Sequence, residues 1–205
     1  MEVRDRILLR AHELFTRYGF RRVTMDEIAL KTGMSKKTIY QSFATKDEIV
    51  DAVVVDLINK SVSTCADNSV EAENPVHEVY LNIGMMKKLM PEMNPNVFED
   101  LEKFFPTAYT KFFQHKYSFI FKSVKENLER GIKDGYYRQE LNVDVVTKFR
   151  IETMFVPFNQ SVFPLGEYNF ADVQIETLEL FLYGICTEQG QKQIKKYKEL
   201  RIKNK

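Results

Sequence analysis

The sequence predicts an all-α protein in which a small N-terminal three-helix domain is joined to a larger helical domain. Apolar residues recur every three or four positions over long segments, which is the spacing that places them on one face of a helix. Prolines and glycines separate these segments at helical length, and no alternating apolar and polar run carries hairpin turn chemistry. We therefore expect helices throughout and no sheet.

The first two helices have clear boundaries in the sequence. The first is predicted over residues 3–18, with Gly19 ending it, and its apolar positions are Ile7, Leu8, Ala11, Leu14, Phe15 and Tyr18. The second is predicted to begin after Thr24, because a threonine N-cap followed three residues later by Glu27 forms a capping box. It ends before Gly33.

The third helix is short and the fourth is long. Ser35 is a good N-cap for a third helix that carries the residues up to Tyr40. A fourth helix is expected to open near Thr45, with acidic residues in its first turn where the helix dipole favours negative charge. It connects two predicted domains, residues 1–46 and 47–205, and its predicted extent is about 46–64.

The composition is that of an ordinary folded protein. Of the 205 residues, 44% are hydrophobic and 29% are charged, and no segment approaches the roughly 20 apolar residues of a membrane helix. The charged N-terminus is unlike a signal peptide, so we expect a cytoplasmic protein with no membrane partner. Cys65 and Cys186 share no metal-ligand spacing, nor do His77 and His115, so we expect neither a metal site nor another cofactor.

The net charge of +1 is unevenly distributed. Ten Lys or Arg oppose seven Asp or Glu in residues 1–50, 13 oppose 21 in residues 51–191, and seven oppose one in residues 192–205. The positive excess near the N-terminus suits a polyanionic partner. The lysine-rich end is interpreted as the solvated end of the last helix, and a DNA contact is the alternative.

The second and third predicted helices have the pattern of a helix-turn-helix. Such a motif needs a small residue where the helices cross, a glycine for the left-handed turn, and apolar anchors on both inner faces. Ala29 and Gly33 fill the first two roles, and Ile28, Ile39 and Phe43 are the anchors. The short third helix can then enter the major groove of DNA. Similar helix pairs also occur in proteins that never touch DNA, so the pattern alone leaves both interpretations open.

The polar residues of the motif are candidate DNA contacts. Lys36, Lys37, Thr38 and Gln41 point away from the apolar anchors and offer donors or acceptors to base edges and phosphates. Thr24, Tyr40 and Lys46 are placed to contact phosphates through a hydroxyl, an ammonium and a capped helix N-terminus.

From Ile7 to about Asp51 the chain resembles the N-terminal domain of the TetR family of bacterial regulators. The residues that carry the resemblance are Ala11, Leu14, Phe15, Gly19, Thr24, Ile28, Ala29, Gly33, Ser35, Thr38, Ile39, Tyr40, Phe43 and Lys46. The family's DNA contacts correspond by position to Thr24, Ser35, Lys36, Lys37, Thr38, Tyr40 and Lys46, whereas the position of Gln41 varies in the family. Later in the chain, residues 131–138 are similar to a segment found in many members.

The resemblance implies that the larger domain forms a homodimer and binds a small-molecule effector. Two symmetry-related helix-turn-helix motifs would bind a palindromic double-stranded operator. The last two long helices, expected at residues 143–160 and 171–190, would supply the dimer face, with core packing as the alternative. The candidate dimer-face residues are Phe149, Phe158, Leu178, Phe181, Leu182 and Ile185.

Methionine and aromatic residues are concentrated in the middle of the chain. Such pliable and aromatic side chains suit an apolar pocket for a hydrophobic or aromatic effector, although the same spacing is also typical of plain core. The candidate pocket residues are Met86, Met90, Phe104, Phe105, Tyr109, Phe112, Phe113, Tyr117 and Phe155.

The sequence thus predicts a DNA-binding transcription regulator, a repressor that releases its operator when the effector binds. An enzyme is disfavoured because no catalytic triad, glycine-rich phosphate loop or metal-spaced cluster is present in the sequence. The remaining alternative is a ligand-independent DNA-binding or partner-binding regulator.

Overall fold

A computed structural model describes residues 2–89, 93–164 and 166–203, with the backbone alone at 85–89 and 201–203. In these ranges it has eleven α-helices: α1 (Val3–Tyr18), α2 (Met25–Thr32), α3 (Lys36–Ser42), α4 (Lys46–Glu71), α5 (Pro75–Leu89), α6 (Val97–Phe104), α7 (Pro106–His115), α8 (Phe121–Lys133), α9 (Val143–Thr153), α10 (Phe170–Ile185) and α11 (Glu188–Lys203). A π-helical turn (Lys116–Ile120) joins α7 to α8, and a 3₁₀ turn (Val156–Phe158) follows α9. The described backbone contains an isolated bridge between Tyr137 and Cys186 but no strand. The predicted all-α class is confirmed.

The chain folds into two compact units. The first unit comprises Met1–Ser61 and Glu92–His115, and the second comprises Val62–Pro91 and Lys116–Lys205. The first unit therefore extends beyond the boundary expected at residue 46 and includes a segment from the middle of the chain. Apolar side chains from both segments are buried, among them Ile49 and Val53 in α4 and Leu101 in α6.

The helix-turn-helix anchors form the interior of α1, α2 and α3. Ile28, Ile39 and Phe43 are buried, and Ala29 is the small buried residue of α2, as predicted. Phe15 of α1 is also fully buried. Each such large apolar side chain contributes roughly 1.5–3 kcal/mol when it is removed from water, so these residues hold the short α3 in place.

The second unit has its own core, to which α5, α8, α10 and α11 contribute. Four residues that we considered for the dimer face belong to it: Leu178, Phe181, Leu182 and Ile185. Phe158 is buried as well, whereas Phe149 on α9 is 58% exposed. Burial within a single chain favours the alternative interpretation, core packing, for all of these residues except Phe149.

Two of the late helices end earlier than expected. The helix expected at 143–160 stops at Thr153, and Pro157 lies in the 3₁₀ turn, because proline lacks the N–H that continues a helix. The helix expected at 171–190 is divided into α10 and α11. At the break, Thr187 N–H donates to the carbonyl of Tyr136 at 3.0 Å, and Arg138 N–H donates to the carbonyl of Ile185 at 2.9 Å. In contrast, α4 is longer than expected and reaches Glu71.

Candidate nucleic-acid interface

The N-terminus of α2 is held by the predicted capping box. The hydroxyl oxygen of Thr24 accepts a hydrogen bond from the backbone N–H of Glu27 at 3.2 Å, and the carboxylate of Glu27 accepts one from the backbone N–H of Thr24 at 2.7 Å. The pKa of the Glu27 carboxyl is lowered first by the hydrogen bond from the Thr24 backbone N–H and then by the Thr24 hydroxyl, which donates to the same carboxylate oxygen at 3.0 Å. The cap leaves the first turn of α2 exposed and fixes its direction.

Gly33 makes the turn between α2 and α3. Its φ of 67° and ψ of 28° are left-handed, a conformation that glycine adopts without steric penalty. Its N–H caps α2, and the N–H of Met34 donates to the carbonyl of Ala29 at 3.1 Å. Ser35 then caps α3 by accepting from the N–H of Thr38 at 3.1 Å. The turn residues predicted from the sequence therefore occupy the roles expected of them.

The outer face of α3 carries the predicted base-contacting residues. At about 100° per residue, Lys37 and Gln41 lie roughly 160° to either side of the buried Ile39 and so point directly away from the core. Lys36 and Tyr40 lie on one flank of this outer face, and Tyr40 is 49% exposed. Thr38 lies on the other flank, and its hydroxyl is 2.9 Å from that of Ser35.

Lys36 pairs with a carboxylate that the sequence pattern does not indicate as its partner. Its Nζ lies 2.5 Å from Oδ1 of Asp26, in the first turn of α2, and both side chains are exposed. This hydrogen bond raises the pKa of Lys36. One of the predicted DNA contacts is therefore already paired with a carboxylate within the chain.

Lys46, at the start of α4, is half-buried rather than extended into solvent. Its Nζ donates to the carbonyl of Arg21 at 3.0 Å and lies 5.2 Å from the ring centroid of Phe105. Burial lowers the pKa of its ammonium. An ammonium has three donors, so two of them remain for a phosphate.

Two arginines of α1 donate hydrogen bonds to the C-terminal ends of α2 and α3. The sequence pattern does not indicate this role. Arg6 donates to the carbonyl of Thr32 at 2.8 Å. Arg4 donates to the carbonyl of Ser42 at 3.0 Å, with its guanidinium carbon 4.0 Å from the ring centroid of Phe43. They satisfy the last carbonyls of α2 and α3. In the sequence they are indistinguishable from other charged residues of an exposed helix face.

The loop after α1 is held by the middle segment of the first unit. Oδ2 of Asp100 accepts a hydrogen bond from Arg21 N–H at 2.9 Å. The guanidinium carbon of Arg21 lies 4.5 Å from the ring centroid of Phe104, and the ring of Phe105 is 6.2 Å from that of Phe20. Two of the candidate pocket residues, Phe104 and Phe105, thus pack beside the helix-turn-helix.

The other candidate pocket residues lie in different parts of the chain. Tyr109, Phe112 and Phe113 are on α7 in the first unit, and Tyr117 and Phe155 are in the second. Met90 and the side chain of Met86 lie outside the described residues. In the second unit, the ammonium of Lys116 lies 4.8 Å from the ring centroid of Tyr117 and 4.5 Å from that of Phe155. The pocket assignment stays a prediction.

Comparison with known proteins identifies the family. Residues 7–53 match the model described as bacterial regulatory proteins of the tetR family. The chain belongs to the TetR family. It is 28% identical over 155 residues to the HTH-type transcriptional regulator YhgD of Bacillus subtilis, covering 73% of this chain and 81% of the relative.

Two further similarities extend over most of this TetR-family chain. It is 24% identical over 197 residues to the HTH-type transcriptional repressor KstR2 of Mycobacterium tuberculosis, covering 90% of this chain and 94% of the relative. The crystal structure of a TetR-family regulator from Agrobacterium tumefaciens superposes with a TM-score of 0.76 at 17% identity, over 90% of this chain and 97% of that one. The relatives named here are transcriptional regulators, so this TetR-family protein is a DNA-binding regulator rather than an enzyme.

The described part of this TetR-family regulator has no helix that is both long and apolar enough to cross a membrane. The family match from residue 7 to residue 53 includes the whole helix-turn-helix. All eight predicted DNA contacts, from Thr24 to Lys46, lie within the matched range.

Proposed function

We propose that this regulator binds a palindromic operator as a homodimer, represses transcription, and releases the DNA when an effector binds. The observation that carries the proposal is the outer face of α3, where Lys37, Tyr40 and Gln41 are exposed on a helix held by a capped turn. A helix presented in this way fits the major groove with its polar side chains toward the base edges.

The predicted contacts divide by position into three groups. Lys37 and Gln41 extend furthest from the core, so we assign them to base edges. Lys36 and Thr38 flank them, and we assign them to base edges or to the adjacent sugar-phosphate backbone of the DNA. Ser35, Thr24, Tyr40 and Lys46 contact phosphates, because they lie at helix starts or on the flank of α3.

The proposed dimer face is the exposed side of α9 and α10. Phe149 on α9 is 58% exposed, and Leu180 and Tyr183 on α10 are 73% and 39% exposed. Large apolar side chains exposed on long helices favour burial against a second copy. A two-fold dimer presents two identical α3 helices, which is why we propose a palindromic operator.

The proposed effector is a hydrophobic or aromatic small molecule that binds in the second unit. The half-buried Phe155 and the neighbouring Tyr117 supply aromatic surface there. Repression is proposed because KstR2, a relative over most of the chain, is described as a repressor. An effector that prefers one arrangement of the dimer shifts the population away from the DNA-binding arrangement.

Fluorescence anisotropy with the full chain tests the DNA-binding part of this proposal. The probe is the labelled DNA that flanks the protein's own gene, and the control is a shuffled duplex of the same length and composition. We expect saturable binding that weakens steeply with salt and favours the flanking DNA. Equal binding to both duplexes would refute an operator there, and failure to bind a library of genomic fragments would refute the proposed function.

A matched pair of variants tests the assignment of Lys37. Lys37→Ala should change the preference at one base pair by roughly 1–3 kcal/mol, measured against operator variants that differ at single positions. Lys31→Ala, which removes a lysine from the C-terminal end of α2, is the control and should leave the base preference unchanged. A uniform loss on all operator variants would assign Lys37 to the phosphates instead.

A further inference from the structure

The second unit contains a buried arginine with no anionic partner among the described residues. Arg150 on α9 is 5% exposed, and its Nη1 atom is buried and donates no hydrogen bond to any described residue. Its neighbours on the same face of α9, Thr147 and Ile151, are fully buried. The guanidinium carbon lies 5.2 Å from the ring centroid of Phe181.

Arg150 differs in this respect from the other buried charged side chains that the structure describes. The carboxylate of Glu78 pairs with Arg130, and that of Glu179 pairs with Lys198 at 2.6 Å. The ammonium of Lys116 pairs with Glu152 at 3.1 Å. Burial of a charge is unfavourable unless it is paired, so a buried guanidinium without an ionic partner is suited to pair with an anion.

The guanidinium keeps its charge in this environment. Burial lowers the pKa of Arg150 to about 10, and nearby Tyr137 opposes that shift. The side chain therefore remains a cation at neutral pH. A guanidinium with free donors is well suited to bind a carboxylate or phosphate through two parallel hydrogen bonds.

A second unpartnered polar group lies on the helix that faces Arg150. Gln174 on α10 is 3% exposed, and its Oε1 accepts no hydrogen bond from any described residue. It precedes Phe181 by seven residues, roughly two turns along the same buried face of α10. The interior of the second unit thus offers an unused donor and an unused acceptor beside apolar surface.

We propose that Arg150 binds the anionic group of the effector, so that the effector is an organic anion with a hydrophobic or aromatic body. This inference rests on the proposed effector response and names the chemical class of the ligand. The anionic group is a carboxylate or a phosphate, since the guanidinium pairs with both in the same way. The ring of Phe181 packs beside that group, and Gln174 accepts a hydrogen bond from a polar hydrogen of the ligand.

Three probes with one apolar body and different head groups test the proposal on the full wild-type chain. They are octanoate, octyl phosphate and the neutral 1-octanol, titrated at constant ionic strength while thermal unfolding is followed. We expect at least one of the two anions to raise the melting temperature saturably, with an affinity at least about tenfold above that of 1-octanol. The anion with the higher affinity shows whether the site prefers a carboxylate or a phosphate. If neither anion binds more tightly than 1-octanol, the proposal is overturned.

Variants on α9 test whether Arg150 is the residue that binds the anion. Arg150→Met should lose about tenfold or more in affinity for the preferred anion and leave 1-octanol unaffected. Lys148→Met, which removes the same charge from an exposed position of α9, should bind the anion as the wild type does. Arg150→Lys keeps the charge with fewer donors, so its affinity for the anion should lie between those of the wild type and Arg150→Met. Equal anion affinity in all four proteins would also reject the proposal.

The same proteins are then tested for DNA binding by anisotropy. If the wild type binds its operator but the Arg150 variants bind the anions as tightly as the wild type does, only the anion inference fails. If the wild type binds no genomic DNA, the proposed function itself fails, whatever the anions do.

Discussion

The Nζ of Lys36 lies 2.5 Å from the carboxylate of Asp26, so an ion pair bridges the first turns of α2 and α3. Both side chains are exposed, and an exposed pair of this kind contributes little to folding stability. We expect a larger effect on DNA binding, because Asp26 places a negative charge beside the proposed DNA-binding face. Asp26 should therefore limit the affinity that Lys36 can contribute.

Asp26→Asn should strengthen binding to the operator and to unrelated DNA alike. The substitution removes a repulsive charge and frees Lys36, so the slope of log affinity against log salt should become steeper by about one unit. Anisotropy titrations at several salt concentrations measure this slope. Asp5→Asn, in the first turn of α1, makes the same change in net charge and serves as the control. Identical slopes for the two variants would show that the ion pair has no such effect.

Lys46→Met should reduce the slope of log affinity against log salt by about one unit and weaken binding to all DNA sequences to the same extent. The methionine retains the apolar stem beside Phe105 but loses the hydrogen bond to the carbonyl of Arg21. We also expect a modest loss of stability, on the order of 1 kcal/mol, in urea unfolding. A loss of stability with an unchanged salt slope would make Lys46 a support of the loop and not a phosphate contact.

Glu27→Ala should destabilise the protein at neutral pH and much less in acid. The pKa of Glu27 is lower in the folded protein than its ordinary value of about 4.5. Its stabilisation is therefore present above pH 4.5 and lost as the pH falls through the folded-state value. Urea unfolding at pH 7 and pH 3 measures the difference. Glu27→Gln retains an acceptor oxygen but does not titrate, so its stability relative to Glu27→Ala should be independent of pH.

Gly131→Ala should be strongly destabilising, by roughly 3 kcal/mol or more. A Cβ at this position of α8 would lie 2.0 Å from the ring of the fully buried Tyr137, so the ring or the helix would have to shift within a packed core. Gly84→Ala on α5 is the matched control, since nothing lies within 4 Å of its Cβ. That substitution should stabilise the helix by up to about 1 kcal/mol. Chemical denaturation of both variants compares them, and equal effects would show that Tyr137 accommodates the methyl group.

Leu180→Glu should convert the proposed homodimer into a monomer. Leu180 is 73% exposed on α10, so its replacement leaves the core of the second unit intact while placing a charge in the proposed dimer face. Sedimentation velocity measures the oligomeric state, and circular dichroism confirms folding. Leu30→Glu is the control, because Leu30 is exposed on α2 in the first unit. A dimeric Leu180→Glu protein would place the interface elsewhere.

The features that could be predicted from the sequence are those determined by neighbouring residues. Thr24 and Glu27 form their cap within four residues, and Gly33 adopts its left-handed turn because of local geometry. The anchors Ile28, Ile39 and Phe43 follow from helical spacing. These local features also carry the family resemblance, which explains why the helix-turn-helix was the most accurate part of the prediction.

Contacts between distant residues could not be predicted in this way. The carboxylate of Asp100 accepts a hydrogen bond from the N–H of Arg21, 79 positions away. At the break between α10 and α11, Thr187 donates to the carbonyl of Tyr136, 51 positions away. Nothing in the pattern around Arg150 distinguishes it from a surface charge, because its burial depends on how α9 packs against other helices. The same limit applies to the aromatic middle, where Phe105 fits a pocket pattern but packs beside Phe20.

The inclusion of α6 and α7 in the first unit limits how this regulator can be recombined with others. A hybrid made by grafting residues 1–61 onto a foreign sensor would separate Arg21 from Asp100 and leave the ring of Phe20 without that of Phe105. The DNA-binding part is therefore not an interchangeable cassette with a single cut site. A functional transplant would have to carry a second, non-contiguous piece of the chain with it.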